Sequence, residues 1–149
     1  MELPTRPLPT PHGEVYRRLM DLAPATVDRL ITTARLARVN AHAPYSRFLV
    51  GAAILTGDGR VFPGCNVENA SSGLSVCAER NAVAAAVVAG ARPVAVAVVA
   101  NADFTPPCGA CRQVLAEFDP DMPVLLGALE GDDVEIVPLS ELLPRSFRL

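Results

Sequence analysis

The stretch of sequence that decides the fold is residues 77–111, CAERNAVAAAVVAGARPVAVAVVANADFTPPCGAC. Residues 77–89 are rich in Ala and Val and are followed by Gly90, which predicts a helix with a glycine just beyond its C-terminal end. Residues 93–100 are continuously apolar, as in a strand at the middle of a sheet. Residues 109–118 predict another helix after a Thr-Pro-Pro turn. A helix, a buried strand and a second helix in succession indicate an α/β fold.

Further segments with helix or strand patterning flank this stretch on both sides. The predicted helices are 25–40 and 140–143, and the predicted strands are 48–56, 60–66, 124–129 and 133–137. Thr26 is the predicted N-cap of the first helix, and Gly57-Asp58-Gly59 predicts a hairpin turn between the first two strands. The order α-β-β-α-β-α-β-β-α predicts one mixed sheet with helices packed on it and a right-handed crossover.

Length and charge restrict the class of protein. The chain has 149 residues, half of them hydrophobic, and a formal net charge of −3, so it has the size and core of one domain. No cluster of cations suits a phosphate backbone, which argues against a nucleic-acid partner. No run approaches the roughly 20 apolar residues of a membrane helix, so no membrane partner is expected.

The N-terminal region is expected to differ from the rest of the chain. Residues 1–23 are rich in proline and predict a poorly ordered arm before a domain at 24–149, and Met20 is an alternative start. The arm lacks the basic and then apolar pattern of a secretion signal, which favours a cytoplasmic protein.

The cysteines are the strongest candidates for chemistry. In a reducing compartment, four cysteines indicate metal ligands or catalytic groups rather than disulfides. Cys77, Cys108 and Cys111 each lie where a loop enters a predicted helix. One predicted helix and one predicted strand separate Cys77 from the pair Cys108 and Cys111, which form the second group. Both groups can therefore lie at one edge of the sheet, where helix N-termini point inward. Three thiolates at this spacing suit a zinc ion.

Cys65 and Glu79 distinguish two kinds of zinc site. If Cys65 is a fourth ligand, the site is closed and structural, whereas three ligands leave one position to water. Glu79 follows a ligand by two residues, where a carboxylate can take a proton from that water, and this favours the open site. The alternative is that Glu79 only complements the dipole of its helix.

Arg80 has a candidate role in balancing charge. Zinc with three thiolates carries a net charge of −1, which weakens the pull of the metal on water. A guanidinium that hydrogen-bonds the sulfurs would withdraw electron density, as the two helix N-termini also would. The alternative is that Arg80 faces solvent.

Four motifs give the chain a specific resemblance over about residues 24–149. The motifs are YSRFLVGAA at 45–53, GCNVENAS at 64–71, CAERNA at 77–82 and PCGACRQV at 107–114. Together they resemble the small, homotetrameric, zinc-dependent cytidine deaminases, whose Cys-x-Glu and Pro-Cys-x-x-Cys pattern belongs to the zinc deaminases. The segment Leu142-Leu143-Pro144 with Phe147 resembles the C-terminus of that family.

The resemblance implies a fold and an activity. The fold is a three-layer α/β/α domain with a five-stranded mixed sheet. The activity is hydrolytic deamination of cytidine and 2′-deoxycytidine to uridine and 2′-deoxyuridine in pyrimidine salvage, with one zinc ion per subunit. It also implies that Cys77, Cys108 and Cys111 hold the zinc, that Glu79 shuttles protons, and that Cys65 is a small buried hydrophobic residue.

The resemblance also implies contacts with a nucleoside. Asn66 and Glu68 would hydrogen-bond the ribose, Phe48 would pack against the pyrimidine, and the backbone of Ala78 would help hold the base. In a tetramer, Phe147 is expected to reach into the pocket of a neighbouring subunit. Without the resemblance, the residues favour a capping Asn66, a solvated Glu68 and a core Phe48.

Two other functions remain open at the level of sequence. One is a related deaminase that acts on a cytosine nucleoside antibiotic such as blasticidin S, against which the ribose-binding pattern of Asn66 and Glu68 argues. The other is a structural zinc module closed by all four cysteines. The chain also departs from the family at Leu49, often Pro, and at Ser72, often aromatic, which affects the expected substrate and subunit contacts more than the chemistry.

Overall fold

The computed structural model describes residues 21–149. The order of its elements matches the predicted order, while Met20 and nearly all of the predicted N-terminal arm lie outside the described residues. The elements are α1 Pro24–Arg38, β1 Gly51–Thr56, β2 Val61–Cys65, α2 Ala78–Val88, β3 Pro93–Val99, α3 Gly109–Ala116, β4 Pro123–Gly127, β5 Val134–Pro138 and α4 Leu139–Leu142.

The strands form a five-stranded sheet within residues 21–149, in the order β2-β1-β3-β4-β5. Only the β3–β4 pair is parallel, so the sheet is mixed as predicted. β3 lies at the centre, and six of its seven residues, all except Val94, are buried. The continuous apolar run at 93–100 is explained by this position, since a central strand covered on both faces exposes neither set of side chains.

Helices cover both faces of the sheet and complete three layers. Side chains alternate across each strand, so one set of residues meets α1 and the other meets α2 and α3. On the first face, α1 packs on the sheet through Leu30, Ile31, Ala34, Ala53, Ala97 and Leu125. On the second face, α2 and α3 pack through Ala82, Val83, Leu115, Ala52, Val96 and Val124.

Two glycines let the helices approach the strands at backbone distance. A Cβ on Gly64 would lie 2.3 Å from the carbonyl oxygen of Ala78 and 2.5 Å from the amide nitrogen of Ala82, so α2 rests directly on β2. Gly51 does the same beneath α1, where a Cβ would lie 1.9 Å from the carbonyl oxygen of Ala34. Close packing at Gly64 fixes the start of α2 relative to the end of β2.

Several predicted boundaries are wrong. Thr26 is not an N-cap: α1 begins at Pro24 after the N-cap Ala23, because proline suits the first helical position and lacks the amide hydrogen that would go unpaired there. β1 begins at Gly51 rather than at residue 48, since the Asn66 side chain binds the backbone of Phe48 and Val50. Across residues 21–149, no helix combines the length and the apolar character needed to cross a membrane.

Candidate metal centre and substrate pocket

Three cysteines converge where two helices begin. Cys77 is the N-cap of α2, Cys108 is the N-cap of α3, and Cys111 lies in the first turn of α3. Their Sγ atoms all lie within 4.8 Å of one another, and those of Cys77 and Cys108 are 3.7 Å apart. A tetrahedral zinc ion with Zn–S bonds of about 2.3 Å needs sulfurs about 3.8 Å apart, so this group fits zinc.

The ionisation of the thiols also fits a divalent cation. Hydrogen bonds from the Cys111 thiol and the Arg80 guanidinium lower the pKa of Cys77 to about 5. The same bond to Cys77, together with burial, raises the pKa of Cys111 well above its usual range. Ionisation of Cys77 therefore makes ionisation of Cys111 less favourable. A bound cation supplies the positive charge that lets all three thiols ionise together.

Cys65 lies on the opposite face of the sheet from this cluster. It pairs with Gly51, whose missing side chain would point at α1, and directly opposed residues share a face. Cys65 accordingly lines a groove beside Leu36 of α1, and it is half-buried rather than fully buried as expected. The sheet separates it from the other three sulfurs, so the four-thiolate site does not form.

Glu79 brings a buried acid to the sulfur cluster. It is the second residue of α2 and is 4% exposed, and it is the only buried acidic residue within 21–149. Burial raises the pKa of its carboxyl group, which also forms hydrogen bonds with its own backbone and with Cys111. An acidic side chain can complement the helix dipole without being buried. The burial of Glu79 is therefore not explained by the helix dipole alone.

Arg80 turns back from α2 toward the cluster rather than out into solvent. Its Nη2 atom lies 3.7 Å from Cys77 Sγ and donates a hydrogen bond to the carbonyl oxygen of Ser75 at 3.3 Å. The contact with sulfur raises the pKa of the guanidinium, so a positive charge stays beside the thiolate. This geometry suits the charge balance expected of the residue.

A cavity of about 420 Å³ opens beside Cys77. This volume lies in the range of sites for small molecules. Asn66, Glu68 and Cys77, which the sequence placed in one site, all line it. The other lining residues are Tyr45, Ser46, Val67, Asn69, Ala70, Ser72, Ser75 and Val76.

Asn66 also holds the loop of residues 45–50. Its Oδ1 atom accepts a hydrogen bond from the amide of Val50 at 2.8 Å, and its Nδ2 atom donates to the carbonyl oxygen of Phe48 at 2.9 Å. The capping function favoured by the residues alone is therefore present, and Asn66 also lines the cavity.

Glu68 holds the other end of this loop. Its carboxylate accepts hydrogen bonds from the amides of Tyr45 at 2.9 Å and Ser46 at 3.2 Å, and from the Ser46 hydroxyl. The Ser46 hydroxyl contributes most to keeping the pKa of this carboxyl below its usual value. Glu68 therefore remains ionised at neutral pH.

The remaining predicted residues lie in different places. Phe48 is 38% exposed beside Asn66, so it is not a core residue, although it does not line the cavity. Ala78 is fully buried at the first position of α2. Phe147 is 71% exposed and lines a separate cavity of about 390 Å³ with Gln113, so it does not reach the pocket of its own subunit.

Sequence reasoning gave no site role to most of the residues that line the cavity, among them the hydroxyl-bearing Tyr45, Ser46 and Ser75. Tyr45 and Ser46 were seen only as part of a motif, and Ser75 lies outside every predicted helix and strand. The sequence feature that could have identified them is their proximity to predicted site residues. Ser46 precedes Phe48 by two residues, and Ser75 precedes Cys77 by two. Their hydroxyl groups alone do not distinguish them from other loop residues.

Comparisons with known proteins agree with this geometry. Residues 24–126 match the model of the cytidine and deoxycytidylate deaminase zinc-binding region. A cytidine deaminase from Halalkalibacterium halodurans is 56% identical over 79% of this chain and 91% of its own length. One from Sporosarcina psychrophila is 48% identical over 81% and 90%.

Solved structures show the same likeness. The cytidine deaminase of Burkholderia pseudomallei aligns with a TM-score of 0.74 and 50% identity, over 80% of this chain and 98% of that one. The cytidine deaminase of Mycobacterium tuberculosis aligns with a TM-score of 0.70 and 43% identity, over 82% and 97%. These alignments support both the predicted fold and the predicted arrangement of three layers.

Proposed function

Because the chain belongs to the cytidine and deoxycytidylate deaminase family, we propose that its cavity binds cytidine and 2′-deoxycytidine beside a catalytic zinc ion. The enzyme hydrolyses these nucleosides to uridine and 2′-deoxyuridine with release of ammonia, the reaction of pyrimidine salvage. The observation that carries the proposal is the convergence of three sulfurs and one buried carboxyl group, next to a cavity that one of these residues, Cys77, lines.

Cys77, Cys108 and Cys111 hold the zinc ion in this proposal, one ion per subunit. When bound, zinc acts as a Lewis acid that lowers the pKa of a water molecule and makes it nucleophilic at neutral pH. Arg80 offsets the negative charge of the thiolates through its contact with Cys77 Sγ.

Glu79 moves the protons of the reaction. Its carboxylate takes a proton from the attacking water and delivers it to N3 of the base, which makes C4 more electrophilic. The resulting hydroxide adds to C4, and Glu79 then carries the proton of the new C4 hydroxyl to the exocyclic amine, so that the C4–N bond breaks, ammonia leaves and the carbonyl of uracil forms. Burial beside Cys111 keeps the carboxyl group away from bulk solvent between these transfers.

The nucleoside is held by the walls of the cavity. Asn66 and Glu68 hydrogen-bond the ribose, and the ionised Glu68 selects for a hydroxyl donor. Two residues outside the lining of the cavity complete the proposed contacts: Phe48 packs against the pyrimidine, and the backbone of Ala78 at the start of α2 helps hold the base.

Turnover and metal content test this function together. We expect one zinc ion per chain and conversion of cytidine to uridine. Glu79→Ala should keep its zinc and lose at least about a hundredfold in kcat, the usual contribution of a general acid–base group. Glu130→Ala, at an exposed position, serves as a matched control and should keep full activity.

Other outcomes would contradict the assignment. A chain without zinc, or a Glu79→Ala variant with most of its rate, would refute the roles of the cluster and of the acid. Faster turnover of blasticidin S than of cytidine would move the substrate to the antibiotic, against the ribose contacts of Asn66 and Glu68.

The wider assignments are also proposals. Residues 24–149 form the catalytic domain, and the active assembly is a homotetramer in which Phe147 completes a neighbouring pocket. A cytoplasmic location suits a site that depends on reduced thiols, since all four cysteines are unpaired.

A further inference from the structure

The loop of residues 45–50 borders the cavity and is held at three places. Glu68 binds the backbone of Tyr45 and Ser46, and Asn66 binds that of Phe48 and Val50. The third contact comes from Asn101, just beyond the end of β3, whose Nδ2 atom donates a hydrogen bond to the carbonyl oxygen of Arg47 at 2.9 Å. Unlike the first two side chains, Asn101 does not line the cavity.

The contact from Asn101 falls on a strained residue. Arg47 has φ of +57°, in the left-handed region that residues with a side chain adopt at a cost. Such conformations persist where neighbouring groups hold them, and they concentrate near functional sites. Arg47 immediately precedes Phe48, so its backbone angles decide where the phenyl ring points.

The amide of Asn101 is itself oriented. Its Oδ1 atom accepts a hydrogen bond from the guanidinium of Arg38 at the end of α1, which leaves Nδ2 to face Arg47. A guanidinium only donates and a carbonyl only accepts, so the residue between them must supply one acceptor and one donor. Asparagine meets this requirement, whereas aspartate cannot donate to the carbonyl.

We propose that Asn101 is a positioning residue for substrate binding, acting by holding Arg47 in its left-handed conformation. It ties the end of β3 and the end of α1 to the loop, and thereby fixes Phe48 beside the cavity. This inference rests on the proposed function, because it assumes that Phe48 packs against the pyrimidine of the bound nucleoside.

Kinetics of Asn101 variants test the proposal. Asn101→Ala and Asn101→Asp both remove the donor to Arg47, and each should raise the KM for cytidine about three- to tenfold, the size expected for one lost hydrogen bond. The kcat should stay within about twofold and the zinc content unchanged, since the sulfurs and Glu79 are untouched. Asn40→Ala removes an exposed asparagine in the turn just beyond α1 and should leave KM unchanged.

A double-mutant cycle with Arg47→Gly identifies the route of the effect. Glycine adopts positive φ without steric cost, so Asn101→Ala should raise KM less than about twofold when added to Arg47→Gly. An equal rise in both backgrounds would show that Asn101 does not act through the Arg47 conformation, and would overturn the proposal. Unchanged KM in both Asn101 variants would overturn it as well.

Failure of this inference differs from failure of the proposed function. If the unmodified protein does not deaminate cytidine, the proposed function fails. If it does so and Asn101→Ala lowers kcat together with zinc content while KM stays constant, Asn101 supports the metal centre and the loop assignment is wrong.

Discussion

Each of the three clustered cysteines lies at the beginning of a helix, and this location matters for the chemistry. Backbone amides at a helix N-terminus carry partial positive charge, which favours thiolates there. Cys77, Cys108 and Cys111 all benefit from it, while Cys65 lies at the end of a strand on the other face of the sheet. The four cysteines are alike in type but differ in electrostatic environment.

Cysteine substitutions should separate the two environments. Cys111→Ala should reduce bound zinc from one ion per chain to almost none, because it removes one of three ligands. Cys65→Ala should keep its zinc and its activity, with a change in the free energy of unfolding of about 0.5 kcal/mol or less. Elemental analysis and thermal unfolding measure both, and loss of zinc from Cys65→Ala would contradict the three-ligand site.

Residue types and spacing predicted the metal cluster and Glu79, because ligand chemistry and helix position are both visible in the sequence. They did not predict that Asn66 and Glu68 bind the loop of residues 45–50. Those hydrogen bonds join segments about 20 residues apart, and their geometry depends on how the hairpin and the loop pack. The role of Asn101 was hidden for the same reason, since its partners lie 54 and 63 residues away.

At the scale of elements, the contact between α2 and β2 sets the position of Cys77 and Glu79. Gly64→Ala would place a methyl group 2.3 Å from the Ala78 carbonyl oxygen and push α2 away from the sheet. We expect a loss of about 1–3 kcal/mol in the free energy of unfolding, together with lower activity. Chemical denaturation and the cytidine assay measure these effects.

Gly57→Ala is the matched control for this helix contact. A Cβ there would lie 3.7 Å from the nearest atom, in ordinary van der Waals contact. Stability and activity of Gly57→Ala should match those of the unmodified protein. Equal losses in both variants would show that the effect does not depend on the α2–β2 contact.

The β1–β2 hairpin contains a charge that makes its stability depend on pH. Asp58 accepts hydrogen bonds from the Arg60 guanidinium and the Thr56 hydroxyl, which hold the pKa of its carboxyl group well below the usual 3.8. A lowered pKa stabilises the folded state above pH 3.8, and this contribution disappears as pH falls through the lower folded value.

Asp58→Asn tests this dependence. The variant should have a lower Tm than the unmodified protein at pH 7, and the difference should shrink as pH falls below 3.8. Asp132→Asn, in the exposed turn before β5, should show little difference at either pH. A Tm difference for Asp58→Asn that stays constant down to pH 2 would refute the role of its charge.

Within residues 21–149, hydrophobic patterning predicted every α-helix and strand, but it did not predict the 3₁₀ helix Ser72–Leu74 and it placed the ends of several elements wrongly. Long apolar runs predict the middle of β3 and of α2, because the burial of such runs does not depend on particular partner residues. Ends depend on individual hydrogen bonds, such as those from Asn66 that replace strand pairing before Gly51. Pro24 likewise displaced Thr26 from the cap of α1 through a local backbone effect.

At the scale of the whole molecule, the exposed side of α2 is apolar. Val87 is 49% exposed and Val88 is 90% exposed, next to alanines that also face outward. A subunit interface would cover such a surface. In light scattering we expect a particle of about 63 kDa, four times the mass of the 15.7 kDa chain, and a stable monomer would contradict the tetramer.

If the tetramer forms, Phe147 should act on a neighbouring active site rather than its own. It is exposed, and it lines a cavity apart from the one beside Cys77. Phe147→Ala should raise the KM for cytidine about two- to tenfold, the size of one lost aromatic contact. Its kcat and zinc content should stay unchanged, because the metal centre lies elsewhere.

Mixed assemblies distinguish a neighbour's Phe147 from a subunit's own. Subunits with Glu79→Ala are inactive but keep Phe147, whereas Phe147→Ala subunits keep Glu79. When the two are co-expressed, active sites in Phe147→Ala subunits can receive Phe147 from an inactive neighbour, so part of the activity should regain the KM of the unmodified enzyme. A KM equal to that of Phe147→Ala alone would show that Phe147 does not act across the interface, because hetero-assemblies then restore nothing.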